Sequence, residues 1–142
     1  MGRTQSRAGT GARCKRTPRG TVLIVDRHPN MRRILSLLAR LDGAKVHAAA
    51  SLKGALRHLT RAHIDVAVIE EEAGALEFCQ QVKGDPLLWQ VSVIVMAILP
   101  FPEDAEKFLV AGANASLARP LNMRDFRREL GKVLRAARVP TH

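Results

Sequence analysis

The chain has 142 residues, 46% of them hydrophobic, which is the size of one ordinary domain with enough apolar material for a core. Its 23 Lys and Arg outnumber 13 acids to give +10 at pH 7, yet residues 1–20 hold Arg3, Arg7, Arg13, Lys15, Arg16 and Arg19 without an acid, so the remainder is only mildly basic. No run approaches the roughly 20 apolar residues of a membrane span, no apolar N-terminal stretch reads as a signal peptide, and Cys14 and Cys79 form neither a disulfide framework nor a metal-ligand spacing, so a cytoplasmic protein without membrane contact is expected.

Residues 1–20 combine Gly, Ser, Thr and Arg with little that is apolar. They cannot offset the entropy of being ordered and read as a disordered basic tail, either a solvated extension or a contact for nucleic acid or another acidic surface. Residues 21–25, TVLIV, then form an apolar run that stops at Asp26 and predicts a buried parallel strand. Pro29 suits a first helical turn, and Met31, Ile34, Leu35, Leu38 and Leu41 follow at helical spacing until Asp42 and Gly43. A short strand over 45–49 leads to Ser51, a good N-cap for a helix carrying Leu52, Ala55, Leu56 and Leu59.

The stretch that organises the chain is residues 64–72, IDVAVIEEE. Val66, Ala67, Val68 and Ile69 are apolar at every position, as in a strand covered on both faces, and the acids mark its carboxyl end. In an open α/β sheet that end is where sites are built, which makes Glu70 the leading candidate residue. Leu76, Cys79 (or Phe78) and Val82 predict a third helix, closed by Gly84, Asp85 and Pro86. A strand over 91–96, a helix over about 103–111 stopped by Gly112, and a short strand over 115–118 come next. Asn122 caps a last helix with Phe126, Leu130, Val133 and Leu134 on one face and Arg124, Arg127, Arg128, Lys132, Arg135 and Arg138 largely off it. Residues 138–142 are a short C-terminal tail.

Five strands each followed by a helix describe a flavodoxin-like (βα)5 domain, a doubly wound parallel five-stranded sheet of order 2-1-3-4-5. That order makes the first and third strands neighbours and brings Asp26 beside Glu70 at the switch point. Glu71 and Glu72 could ligate a cation with Asp26, but their expected role is to favour the first turn of the next helix through its dipole. His28 sits beside the site, whereas His47, His58 and His63 show no i, i+4 pairing, so no zinc site is expected. There is no glycine-rich phosphate loop and no nucleophile elbow. Cys79 is expected in the core, and Trp89 is expected to cover the sheet, with a partner anchor as its alternative.

On these residues the chain resembles the response-regulator receiver family over about residues 21–137. VLIVDRHPNMRRIL is similar to that family's first strand and helix, DVAVIE to its phospho-acceptor strand, VSVIV to its fourth strand, and AGANASLARP to its alanine-glycine-alanine to lysine-proline stretch. The resemblance places Glu70 at the phospho-acceptor, where the family has aspartate, and the extra methylene displaces the oxygen that phosphoryl transfer must position. It places Arg27 at the second acid of the pair begun by Asp26, a cation where Mg²⁺ would sit. Ala97 stands at the hydroxyl sensor, Ser116 at the switch aromatic, and Arg119 at the lysine, with Asp26 and Pro120 unchanged.

The resemblance therefore implies a stand-alone pseudo-receiver, not an enzyme, acting by contact with an unidentified protein partner independently of phosphorylation. One alternative is a working two-component receiver that accepts a phosphoryl group at an unconventional site. Another is a basic adaptor binding nucleic acid through Arg3, Arg7, Arg13, Lys15, Arg16 and Arg19. No cofactor is expected; the family's Mg²⁺, if bound, would use Asp26 and Glu70, with Glu71 in the same acidic pocket. Family members pair through their fourth helix, fifth strand and fifth helix, so a homodimer through residues 103–137 is a further expectation. The last reading is a lock in which the Glu70 carboxylate is held by Arg119 and, as a second partner, Arg27.

Overall fold

The computed structural model describes residues 19–98, 102–118 and 122–137. Over these residues strand and helix alternate five times: β1 (Thr21–Val25), α1 (Pro29–Leu41), β2 (Lys45–Ala49), α2 (Leu52–Arg61), β3 (Val66–Glu70), α3 (Ala75–Gly84), β4 (Ser92–Ala97), α4 (Pro102–Val110), β5 (Ala115–Ala118) and α5 (Met123–Ala137). The strands pair in parallel in the order β2-β1-β3-β4-β5, the doubly wound flavodoxin-like arrangement that the apolar runs predict.

Alternating strand residues explain why those runs are unbroken. Leu23, Val25, Ala67, Ile69, Val93 and Val95 pack with Leu59, Phe78, Val82 and Phe108 of α2, α3 and α4. Val22, Ile24, Val66, Val68, Ile94 and Met96 pack on the other side with Leu35 and Leu38 of α1 and Phe126 and Leu130 of α5. A central strand thus has no solvent face, and its polar residues fall at the ends, as Ser92 and Glu70 do. Edge strand β2, by contrast, buries only Ala49.

The local signals act as expected at two helix starts. The Ser51 hydroxyl accepts the Gly54 N–H at 3.1 Å, and the Asn122 side chain accepts the Asp125 N–H at 3.1 Å. Other details differ from the sequence reading. The fourth strand begins at Ser92 because Val91 still closes a turn, its N–H donating to the Leu88 carbonyl at 2.9 Å. Arg19 and Gly20, assigned above to the tail, are tied down: the Arg19 N–H donates to the Gly43 carbonyl and the Gly20 carbonyl accepts the Lys45 N–H. Trp89, expected over the sheet, is 54% exposed, and Leu87 is 90% exposed. Cys79 is fully buried, and burial pushes its thiol up to about 11. Residues 1–18, Arg119, Pro120 and residues 138–142 lie outside the described residues, and with them the tail and the Arg119 half of the lock.

Candidate functional site

β1 and β3 are adjacent, with Val25 opposite Ile69, so the residues that follow each register pair, Asp26 and Glu70, meet at the carboxyl edge of the sheet. Both carboxylates are almost completely buried, 1% exposed in each case. Buried carboxylates need donors, and the turn after β1 supplies them. The Arg27 backbone N–H donates to Glu70 Oε1 at 2.7 Å, and Arg27 Nε donates to the same oxygen at 2.8 Å. The far nitrogen of that guanidinium reaches Glu72 Oε1. The Glu70 carboxylate, by accepting from Arg27, pushes the guanidinium's pKa up, so Arg27 is a fixed cation.

Asp26 is framed in the same way. Its Oδ1 accepts the His28 N–H at 2.8 Å, with His28 Nδ1 3.3 Å away, and its backbone carbonyl accepts Arg32 Nη1 at 2.8 Å. Arg32 was not singled out by the sequence; the available signal is a cation one turn into α1, facing back to the end of β1.

Glu71 and Glu72 are not in the first turn of α3. They lie in a 3-10 turn, Glu71–Ala73, which ends at Gly74 with φ +99, a backbone state that favours glycine. The turn throws the two acids to opposite duties. Glu71 accepts the Ile98 N–H at 3.0 Å and lies 3.6 Å from Lys107 Nζ, which ties the turn after β3 to the end of β4 and to the last turn of α4, while Glu72 joins Arg27. Glu71 is therefore not part of the Asp26 cluster. At the end of β4, Ala97 is 2% exposed and offers only a methyl group, and on β5 Ser116 is half-buried opposite Val95.

One histidine pair was invisible in the sequence. His47 of β2 and His58 of α2 meet in a tilted arrangement, ring centroids 5.3 Å apart and planes at 60°, because the crossover folds the helix back over its own strand. Burial, and then the neighbouring His58 and Lys45, hold His47 below its ordinary pKa. Among the described residues the only group of three or more His, Cys, Asp or Glu placed to hold a metal ion is Asp26, His28 and Glu70, whose ligand atoms lie within 4.8 Å of one another.

A five-stranded sheet of this order, with an acid pair at the ends of β1 and β3, is the receiver arrangement, and a family model for the response regulator receiver domain matches residues 22–130. The chain belongs to the response regulator receiver domain family. Solved structures agree on the fold of this receiver. A chemotaxis response regulator of Vibrio cholerae is 23% identical with a TM-score of 0.75, covering 80% of this chain and 98% of its own. The receiver domain of a signal transduction histidine kinase from Syntrophus aciditrophicus is 23% identical with a TM-score of 0.76, covering 86% and 95%. An orphan response regulator of H. pylori is 16% identical with a TM-score of 0.73, covering 81% and 96%. No curated protein matches the receiver in sequence. Among its described residues no helix is long and apolar enough to cross a membrane.

The family's Mg²⁺ needs a shell of oxygen ligands at this edge. In this receiver the residue next to Asp26, where an acid is expected, is Arg27, and its guanidinium sits 2.8 Å from Glu70, so that ligand position carries a positive charge already bound to the Glu70 carboxylate. The donor set that remains, two carboxylates and an imidazole beside a fixed cation, does not fit Mg²⁺.

Proposed function

We propose that this receiver is a phosphorylation-independent signalling module that works in the cytoplasm by contact with a protein partner. The observation that carries the reading is that Glu70 Oε1 accepts both the backbone N–H and the side-chain Nε of Arg27. A phosphoryl acceptor must present an unencumbered oxygen in line with its donor and beside a metal, since phosphoryl transfer is positioning and electrostatics. Here that oxygen is turned into the turn after β1, the metal position is a guanidinium, and the sensor hydroxyl is replaced by the methyl of Ala97. The Arg27 cation is spent within the crevice, on Glu70 and Glu72 together.

A second reading, a working receiver with an unconventional site, is favoured by the closeness of the Asp26, His28 and Glu70 ligand atoms. Intact-mass measurement after incubation with acetyl phosphate and Mg²⁺ separates the two. No mass gain is expected. A gain of one phosphoryl group that is lost in Glu70→Gln would establish the second reading.

A further inference from the structure

A groove of about 1030 Å³ runs between α1 and α5. Its floor includes Leu38 and Leu134, both nearly buried, and Gly131. Around it stand Arg19, Arg124, Arg127, Arg128 and Arg135, with Asp42 as the one acid in the lining. Asp42 is committed to Arg127, at 2.6 and 3.2 Å, and Arg128 pairs with Asp125 at 2.8 Å. Among the described residues Arg19, Arg124 and Arg135 have no carboxylate within 4.0 Å. The groove is therefore electropositive beyond what its own fold neutralises.

The second observation is apolar. Ile34, Leu37 and Leu41 of α1 are 42%, 55% and 63% exposed, and Met123 at the start of α5 is 57% exposed. The three α1 residues follow at i, i+3 and i+7, and helical geometry sets Leu38 beside both Ile34 and Leu41, so this stripe continues the groove floor outward. An exposed apolar ridge rimmed by charge is the usual mark of a contact surface.

The occupant has to satisfy both features. A nucleic acid answers the arginines but leaves Leu37 and Leu41 facing phosphate and water. A second copy of the chain answers the apolar ridge but, in a symmetric pairing, sets arginine against arginine. A helix with apolar residues at i, i+3, i+4 and i+7 and acids along its flank answers both. We propose that the α1–α5 groove docks an acidic amphipathic helix of a protein partner. This rests on the reading of the receiver as a protein-contact module and names the surface and the chemistry of the partner.

The test is selection from a phage library of helical peptides on the full chain, followed by fluorescence anisotropy with the selected synthetic peptides and with random-sequence duplex DNA. Peptides with an apolar stripe flanked by acids should be enriched. Leu37→Asp, and separately Arg124→Glu with Arg135→Glu, should weaken them on the order of tenfold or more at unchanged thermal unfolding. Arg124→Lys with Arg135→Lys, which keeps the charge and guards against a folding artefact, should hold affinity within about threefold. No enrichment, binding unmoved by these variants, or duplex DNA binding that depends on the same residues would each overturn the proposal. Acetyl phosphate and Mg²⁺ added to the assay distinguish the two layers. An affinity change that tracks phosphorylation would refute phosphorylation independence and leave the groove standing, whereas peptides seated elsewhere would refute the groove alone.

Discussion

The crevice at Glu70 and the groove between α1 and α5 are both built from arginines meeting the fold, but they solve the charge problem in opposite ways. In the crevice, Arg27 lies against two carboxylates, and the buried Glu70 takes both a side-chain and a main-chain donor from one residue. In the groove, five arginines share one lining acid, and three of them have no carboxylate within reach among the described residues. A charge the fold neutralises internally fixes structure. A charge the fold leaves over is available to something outside, provided that the surface beside it gives that partner a reason to stay. The contrast separates a site that has become part of the scaffold from a surface that has not.

Stability measurements should reproduce that division. Glu70→Ala removes the acceptor of two charge-assisted hydrogen bonds and leaves the buried end of β3 underfilled, so a loss of about 3–4 kcal/mol in urea unfolding is expected. Arg124→Ala and Arg135→Ala should each stay within about 0.5 kcal/mol of the parent. If all three fall in the same range, the crevice is not held by its pairing and the distinction between the two regions collapses.

Cys79 sharpens the comparison from a third position, since it is a titratable group buried under the sheet with burial as the largest influence on it. Its folded-state value is raised from 9.0 to about 11. As pH rises, the unfolded chain therefore releases this proton first, so the contribution to stability is whole below pH 9.0 and is lost progressively as pH climbs through about 11. Two units correspond to about 2–3 kcal/mol. Lys83, which burial holds below its ordinary pKa, acts with the opposite sign, so the clean measurement is the difference between the parent and Cys79→Ala in urea unfolding at pH 8 and pH 10.5. A difference that does not change with pH would mean that burial alone does not control the thiolate. The native thiol should also resist alkylation at pH 8, because the thiolate is the reactive form.

The fold was legible in the sequence because burial on both faces leaves a signature that no other element shares. The runs at 22–25 and 66–69 carry no polar residue at either parity, and the two core clusters show each residue of those runs used on one face or the other. The meeting of Asp26 and Glu70 followed from strand order alone. What could not be read is where long side chains point once loops set their direction. Of the two partners expected for Glu70, Arg119 lies outside the described residues, and Arg27 reaches the carboxylate with its backbone as well as its side chain, a main-chain contact that no sequence pattern announces. Glu71 and Glu72 looked like helix-dipole acids until the 3-10 turn and Gly74 moved them off the helix. The exposure of Trp89, 54%, is set by a loop whose backbone Lys83 Nζ holds through the Trp89 and Val91 carbonyls, a contact the sequence does not announce. The groove depends on α1 and α5 and on an Arg127 to Asp42 contact across 85 residues that no local pattern encodes.

Gly131 gives the smallest effect and the cleanest separation of scaffold from surface. It lies inside α5, where glycine is about 0.5–1 kcal/mol less favourable than alanine, and no turn or positive φ requires it there. A β-carbon at this position would come 3.2 Å from Arg135 Nη1, and that guanidinium, the far end of a flexible side chain, can move aside. Gly131→Ala should therefore stabilise the receiver by about 0.5–1 kcal/mol in urea unfolding, with a single cooperative transition. The residue also lines the groove, so the added methyl and the displaced guanidinium should raise the dissociation constant of a groove-bound acidic peptide about threefold or more. Stability and binding would then move in opposite directions at one atom. If stability rises and binding is untouched, Gly131 is a tolerated defect of the helix and the groove does not extend over it. If stability falls, Arg135 does not yield, and its guanidinium across Gly131 belongs with Arg27 as a cation the fold has already put to structural use.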